Sequence, residues 1–187
     1  MELIITRKNG ESYTVFYDEC DHELISKYRW CINSQGYVVG RLLIRTDSSY
    51  SFMHRLFIDV IDGMQIDHIN QNKADNRRSN LRLCFPSQNR MNTPKCRGKG
   101  KYKGVHFKDG RDYYSECQAF MKRFYIGRFK TEEEAALERD IKALSLHGDF
   151  CFLNFPEFKH FYEIIQNAAD DKAREIKRDL LEMIASK

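Results

Sequence analysis

Short apolar runs broken by polar loops fill the first 130 residues, and two long helical periodicities close the chain. That ordering confines the fold to the α+β class. Tyr13, Val15 and Tyr17 alternate as strand residues do, and YVVGRLLI (37–44) is a β-branched and aliphatic run. Between them Asp21 is placed to cap a helical turn holding Leu24 and Ile25, with Trp30 as the one large anchor. FMHRLFIDVI (52–61) has the spacing of a short helix that Gly63 would stop. Residues 64–93 compress a strand (MQI), a long polar loop, a second strand (LRLCF) and a helix from Pro86 into one small β–β–α segment. Residues 102–129 read as three strands broken at Asp109-Gly110 and around Met121-Lys122. Thr131 with Glu134 forms a capping box, opening a helix with Leu137, Ile141 and Leu144 on one face and Gly148 at its end. A last helix is expected over 161–185, with Ile176, Leu180 and Ile184 on one side.

Hydrophobic residues make up 42% of the 187, with 13 Phe and 10 Tyr, which is enough for a core and excludes a disordered or fibrous chain. No apolar run approaches the roughly 20 residues that cross a bilayer. The start MELIITRKNGESY turns polar too early for a signal peptide, so a cytoplasmic protein with no membrane partner is expected. Six scattered cysteines form no CxxC pair, which argues against a zinc ribbon and a disulfide framework. The net charge of +4 hides an asymmetry: residues 73–130 carry 16 Lys and Arg against 4 Asp and Glu, a local +12, and the remainder is −8. A polyanion is the partner that such a segment suits.

The stretch IDHINQNKADNRRSNLRLCFPSQNRMN (66–92) concentrates potential ligands and bases. Hydrolysing a phosphodiester requires deprotonating water and neutralising charge on the phosphate and the leaving oxygen. One imidazole and one divalent cation suffice. Neighbours on a strand face opposite ways, so an Asp-His pair can bind metal with one member and address water with the other. Asp67-His68, Asn80 and Asn89, with MHR (53–55), DNRRSNLR (75–82) and PSQN (86–89), resemble the HNH endonucleases of ββα-metal fold, in particular phage and intron-borne homing members. The resemblance implies that His68 is the general base, that Asn80 ties the loop that aims it, and that Asp67 and Asn89 hold the metal. Many members have His at the last position. An amide oxygen there suits Mg2+ or Mn2+ better than zinc. Arg55, Arg77, Arg78, Arg82 and Arg90 surround this segment, and two or more of them are expected on backbone phosphates. His54 is read as structural.

In residues 102–156 basic, polar and aromatic side chains alternate with apolar ones, so one sheet face can be apolar and the other cationic. Tyr114, Glu116 and Gln118 fall on one face of the second strand, and Arg123, Tyr125 and Gly127 on one face of the third. YKGV (102–105), Tyr125-Ile126-Gly127-x-Phe129, the TEEEAA helix start and the Gly148…LNFP ending resemble the plant Apetala-type (ethylene-response-factor) DNA-binding domain. Phage homing nucleases carry that module behind an HNH unit. The resemblance puts Lys103, His106, Lys108, Gln118, Arg123 and Tyr125 in the groove of double-stranded DNA.

These readings predict an N-terminal β-rich and HNH nuclease domain (1–92), a basic linker (93–101), an Apetala-type domain (102–157) and a C-terminal helix (158–187). The expected protein is a site-specific, metal-dependent DNA endonuclease, monomer or homodimer, of a bacterial or phage-infected cell, leaving 5′-phosphate and 3′-hydroxyl ends. The rival readings are a DNA-binding regulator with an inactive HNH scaffold, and a restriction or nonspecific HNH nuclease.

Overall fold

The computed structural model describes residues 1–43, 50–94, 100–108, 110, 112–119 and 121–186. Most of the expected linker (95–99), Cys96, Ile44 of the expected 37–44 strand and Asp109 of the expected turn lie outside the described residues. The chain forms two compact units, Met1–Arg90 and Met91–Lys187, both mixing helices and antiparallel strands. No described helix is long and apolar enough to cross a membrane.

In the first unit β1 (Glu2–Thr6) and β2 (Ser12–Phe16) pair as a hairpin that turns Ile5 and Val15 into the core. A 3-10 turn and α1 (His22–Ile25) follow. Asp21 does not cap α1 with its side chain. Its carboxylate instead receives Arg78 Nε (3.1 Å) and Nη2 (2.7 Å), a long-range ion pair that outcompetes the local bond. β3 (Tyr28–Ile32), β4 (Val38–Leu42) and β5 (Ser51–Phe52) form a sheet in that order. Gly40 is obligatory where it faces Trp30, because a Cβ there would come within 2.5 Å of the indole. That indole donates to the Ile25 carbonyl (2.9 Å).

The helix expected over 52–61 is replaced by β5 and a 3-10 turn at Met53–Leu56. Ser51 and Phe52 pair through their backbone with Gly40 and Val39, and the tighter turn buries both Met53 and His54. β6 (Gln65–His68) and β7 (Leu81–Cys84) then pair, Asp67 opposite Arg82 and His68 opposite Leu81, ahead of α2 (Pro86–Met91).

In the second unit β8 (Val105–Lys108), β9 (Asp112–Ala119) and β10 (Lys122–Phe129) form a sheet in the order β10-β9-β8. α3 (Glu132–His147) packs on it through Ala135, Ala136, Leu137, Ala143 and Leu144, the small residues permitting close approach. Both halves of the Thr131–Glu134 capping box are formed. The single helix expected over 161–185 is two, α4 (Lys159–Asn167) and α5 (Asp170–Ala185). Ala168 and Ala169 are extended, and the break lets Tyr162, Leu180 and Ile184 share one core. Burial overrides the helical preference of Ala-Ala, and Asp170 and Asp171 suit the positive N-terminus that the break creates.

A buried polar pair fastens this unit. Asp140 accepts from Arg139 Nη1 (3.1 Å), Asn154 Nδ2 (3.0 Å) and the Phe155 amide (2.9 Å), and burial pushes its pKa up to about 6. Asn154 in turn brackets Lys103, accepting from its amide and donating to its carbonyl. Asp140→Ala leaves a buried guanidinium without its carboxylate and the Phe155 amide without its acceptor, so urea denaturation of the full chain should show this unit destabilised by about 3–5 kcal/mol. A loss below about 1 kcal/mol would show that the network contributes little.

Candidate functional site

The polar loop between β6 and β7 carries its own scaffold. Asn80 accepts from the Asn70 amide with Oδ1 (2.9 Å) and donates Nδ2 to the Asp75 carbonyl (2.8 Å). Its own carbonyl accepts from the Ile69 amide, next to His68. Asp75 is fully enclosed, and its carboxylate takes Arg77 Nε (2.8 Å) and Nη2 (2.7 Å) and Asn70 Nδ2 (2.8 Å). The Arg77 bonds hold its carboxyl below the usual range. From outside, β2 grips the same loop: Phe16 donates to the Ala74 carbonyl (2.9 Å) and accepts from the Asn76 amide (2.8 Å).

His68 is 5% exposed. Its Nε2 meets Asn76 Oδ1 at 3.4 Å, and Asn76 is entirely buried. The His54 ring lies edge-on to it at 5.1 Å, with Tyr37 at 6.1 Å. Burial lowers the His68 pKa despite the Asn76 bond and the nearby carboxylates, so the imidazole is neutral, as a base must be. Sequence reasoning passed over Asn76, whose only signal was its place in DNRRSN, and left His54 as a lone histidine.

Asp67 sits on the opposite face of β6, 6% exposed, with Arg82 Nε (2.9 Å) and Nη2 (2.7 Å) both on its Oδ2. Gln65, two residues back on that face, accepts from Asn89 Nδ2 (2.8 Å), which fixes the orientation of the amide on α2. Cys84 connects them: its Sγ lies 3.6 Å from the Gln65 carbonyl, and its pKa, raised by burial first, also feels the charge of Asp67 and the backbone of Asn89. Among the described residues no three His, Cys, Asp or Glu gather as a metal cluster. A cation here would take hard oxygen from Asp67 and Asn89 and complete its shell with water and phosphate.

The basic residues separate into two groups. Arg77, Arg78 and Arg82 are engaged with Asp75, Asp21 and Asp67, although the first two still expose half of their side chains. Arg55 and Arg90 are exposed. In the second unit Lys103 does not join the sheet face: its ammonium donates to the Met91 (2.9 Å) and Thr93 (2.5 Å) carbonyls.

The outer face of that sheet carries a ring stack, His106 on Tyr114 at 4.9 Å and Tyr114 on Tyr125 at 6.3 Å. Glu116 stands between His106 (3.4 Å) and Arg123 (3.7 Å). Gln118 is exposed and pairs across to Arg123, and exposed Lys108 pairs with Asp112 at the end of β8. Gly127 is not on this face. A bulge between Tyr125 and Gly127 shifts the register, so Gly127 lies opposite buried Ser115, and exposed Arg128 comes out beside Tyr114. Strict alternation therefore missed Arg128, and the glycine after Ile126 was the available clue.

The sequence profile described as HNH endonuclease matches residues 59–91, which contain Asp67, His68, Asn80 and Asn89. An uncharacterised HNH endonuclease of Acanthamoeba polyphaga mimivirus is 31% identical over 137 residues, 72% of this chain and 71% of that protein. The chain belongs to the HNH endonuclease family. It is thus a nuclease, and nucleases of this family generally use divalent metals. An ethylene-responsive transcription factor of Arabidopsis thaliana is 33% identical over 73 residues, 38% of this chain, and the chain spans about a third of that protein. No solved structure matches this HNH endonuclease significantly.

His54 gives its nuclease unit a pH signature. The ring is 6% exposed, and its Nδ1 has no hydrogen-bond partner among the described residues. Burial, then the charges of His68 and Arg55, depress its pKa to about 3. A folded-state value below the unfolded one means stability is complete above about pH 6.5 and is lost as pH falls from there toward 3, by at most about 1.4 kcal/mol per unit. Urea midpoints between pH 7.5 and 4.5 should therefore shift in favour of His54→Phe as the solution is acidified. A constant difference would mean that His54 is protonated in the folded protein.

Proposed function

We propose that this HNH endonuclease is a site-specific, divalent-metal-dependent homing-type enzyme that hydrolyses one phosphodiester of duplex DNA per centre, leaving 5′-phosphate and 3′-hydroxyl ends. The observation that supports the reading is the two-sided arrangement of β6. His68 faces the Asn76–His54 side, and Asp67 shares the other face with Gln65, which accepts from Asn89. Neutral His68 takes a proton from water as it attacks phosphorus. Asn80 and Asn76 hold the loop and ring in position. Asp67 and Asn89 are the residues that would hold the cation. Bound there, Mg2+ or Mn2+ supplies positive charge for the leaving 3′ oxygen. A monomer would nick, and a homodimer would cut both strands.

On this reading residues 1–92 are the nuclease part, 93–101 a basic linker, 102–157 an Apetala-type DNA-binding domain and 158–187 a C-terminal helical part. The partial likeness to the plant factor and the polar, aromatic outer face of β8–β10 support the third assignment. His106, Lys108, Gln118, Arg123 and Tyr125 then meet the major groove, joined by Glu116 and Arg128. A carboxylate such as that of Glu116 accepts from cytosine N4. Among the cations near the centre, Arg55 and Arg90 are placed to meet backbone phosphates.

Run-off sequencing of a random duplex library incubated with Mg2+ tests the whole reading. Discrete ends at one rare sequence are expected, with none in EDTA. A smear would point to a nonspecific nuclease, and binding without cuts to a DNA-binding regulator. His68→Ala should bind with unchanged affinity and cut at least 1,000-fold more slowly. An undiminished rate would remove His68 from the chemistry. Gln118→Ala should change base preference at one position by about 1–3 kcal/mol in competition binding, whereas uniform weakening would place Gln118 on the DNA backbone.

A further inference from the structure

The described residues of the first unit hold eight arginines, and their partners divide them. Arg7, Arg77, Arg78 and Arg82 each face a carboxylate, on Glu11, Asp75, Asp21 and Asp67. Arg29, Arg41, Arg55 and Arg90 face none among the described residues, and the first three belong to one sheet and the turn that leaves it.

Arg29 and Arg41 are both exposed and are direct cross-strand partners on β3 and β4. Two like charges opposite each other repel, so each is favoured by an anion brought beside it. Arg41 rests on the Tyr50 ring, its Cζ 4.8 Å from the centroid, and donates to the Tyr50 hydroxyl (3.1 Å). Arg55 lies over Phe52, its Cζ 5.5 Å from that centroid. Two of the three guanidinium groups are thus held against aromatic rings, which reduces the entropy cost of gripping a ligand.

The same face runs to the cleavage centre. Tyr37, Val39 and Arg41 alternate along it, with Cys31 and Phe52 paired to either side of Val39. At one end the Tyr37 ring lies 5.6 Å from His54 and 6.1 Å from His68. Arg41 is four residues along, about 14 Å at 3.4 Å per residue. That is about four base-pair steps of duplex, at 3.4 Å each.

We infer that Arg29, Arg41 and Arg55 form a phosphate-binding surface for duplex DNA that flanks the cleavage centre and belongs to the nuclease unit itself. The inference rests on the nuclease reading proposed above. Planar guanidinium groups match phosphate oxygens bidentately, and a backbone held at His68 has phosphates in reach of this face.

The test measures binding of the full chain to a duplex containing its cleaved site between 50 and 300 mM salt. Arg29→Gln/Arg41→Gln should flatten the plot of log K against log salt by about 2, close to 0.9 for each phosphate no longer neutralised, and leave the cut position unchanged. Adding Arg55→Gln should remove about one more unit. Arg174→Gln, at an exposed position of α5 beside Asp171, should leave the slope as it is. Both arginines of the pair are exposed and repel each other, so thermal melting should not fall. If the wild type binds and cuts while the double variant keeps the full slope, the phosphate surface is overturned and the nuclease reading survives. The same result holds if an acidic protein rather than DNA covers the face. If the wild type neither binds nor cuts any duplex with Mg2+ or Mn2+, both fall.

Discussion

Burial of a polar loop is the constraint on which the first unit depends. Asp75, Asn76 and Asn80 lie inside the protein, where an unmet donor or acceptor costs about 1–3 kcal/mol. Each is met by a named neighbour. Asn80 closes on Asn70 and on the Asp75 carbonyl, Asp75 on Arg77 and Asn70, and Asn76 on Phe16, Lys73 and His68. A network with every member satisfied has one arrangement, and that rigidity passes to the imidazole at its edge. The N-terminal hairpin thereby gains a purpose. Through Phe16, β2 supplies two backbone bonds to a loop that has no strand of its own beside it.

The period of two on β6 does the rest. His68 shares a face with Ile66, which packs on the core, so the imidazole is drawn inward and kept neutral. Asp67 and Gln65 look the other way, towards Arg82 and Asn89. His68 and Asp67 are adjacent in sequence yet their environments differ, one apolar and aromatic, the other charged and hydrogen-bonded. Arg82 neutralises a nearly buried carboxylate that would otherwise be costly. On the proposed reading a cation at Asp67 would compete with this guanidinium, so affinity for metal there would depend on how readily Arg82 yields.

Much of this was legible in the sequence, and the failures have common causes. The β–β–α segment, the three-stranded sheet and the capping box followed from local pattern, because turn chemistry and period agreed there. The helix at 52–61 and the unbroken helix at 161–185 were misread because helical spacing cannot report that a neighbouring strand needs a partner, or that Leu180 and Ile184 must reach the core with Tyr162. Asp21 was misassigned for a related reason. Its partner Arg78 is 57 residues away, and no local rule anticipates a pairing at that distance. Within the site, the four positions of Asp67, His68, Asn80 and Asn89 stood out through the resemblance to the HNH pattern, whereas Asn76 and His54 are marked by burial. The bulge at Ile126 similarly exchanged Gly127 for Arg128 on the outer face of β8–β10.

Charge shows the same limit most sharply. A local +12 announces a polyanionic partner but says nothing about which cations are available to it. Arg77 and Arg78 lie near the start of the basic segment and are tied to Asp75 and Asp21. Lys103 is bound to two carbonyls. Arg29 and Arg41 lie outside that segment, in a part of the chain that is acidic overall, and face each other with no carboxylate partner among the described residues. In the folded protein Arg77, Arg78 and Arg82 of the basic segment are engaged with carboxylates that hold the loop and the hairpin together, whereas Arg90, Arg123 and Arg128 of the same segment are exposed. The arginines without a carboxylate partner are arranged on surfaces. An ion pair already formed must be broken or shared before a phosphate gains from it, whereas two guanidinium groups in mutual repulsion gain twice, once from the anion and once from relief of their own field. Affinity for a polyanion therefore follows the count of unpaired cations per face, and net charge along the chain is a poor guide to where the backbone lies.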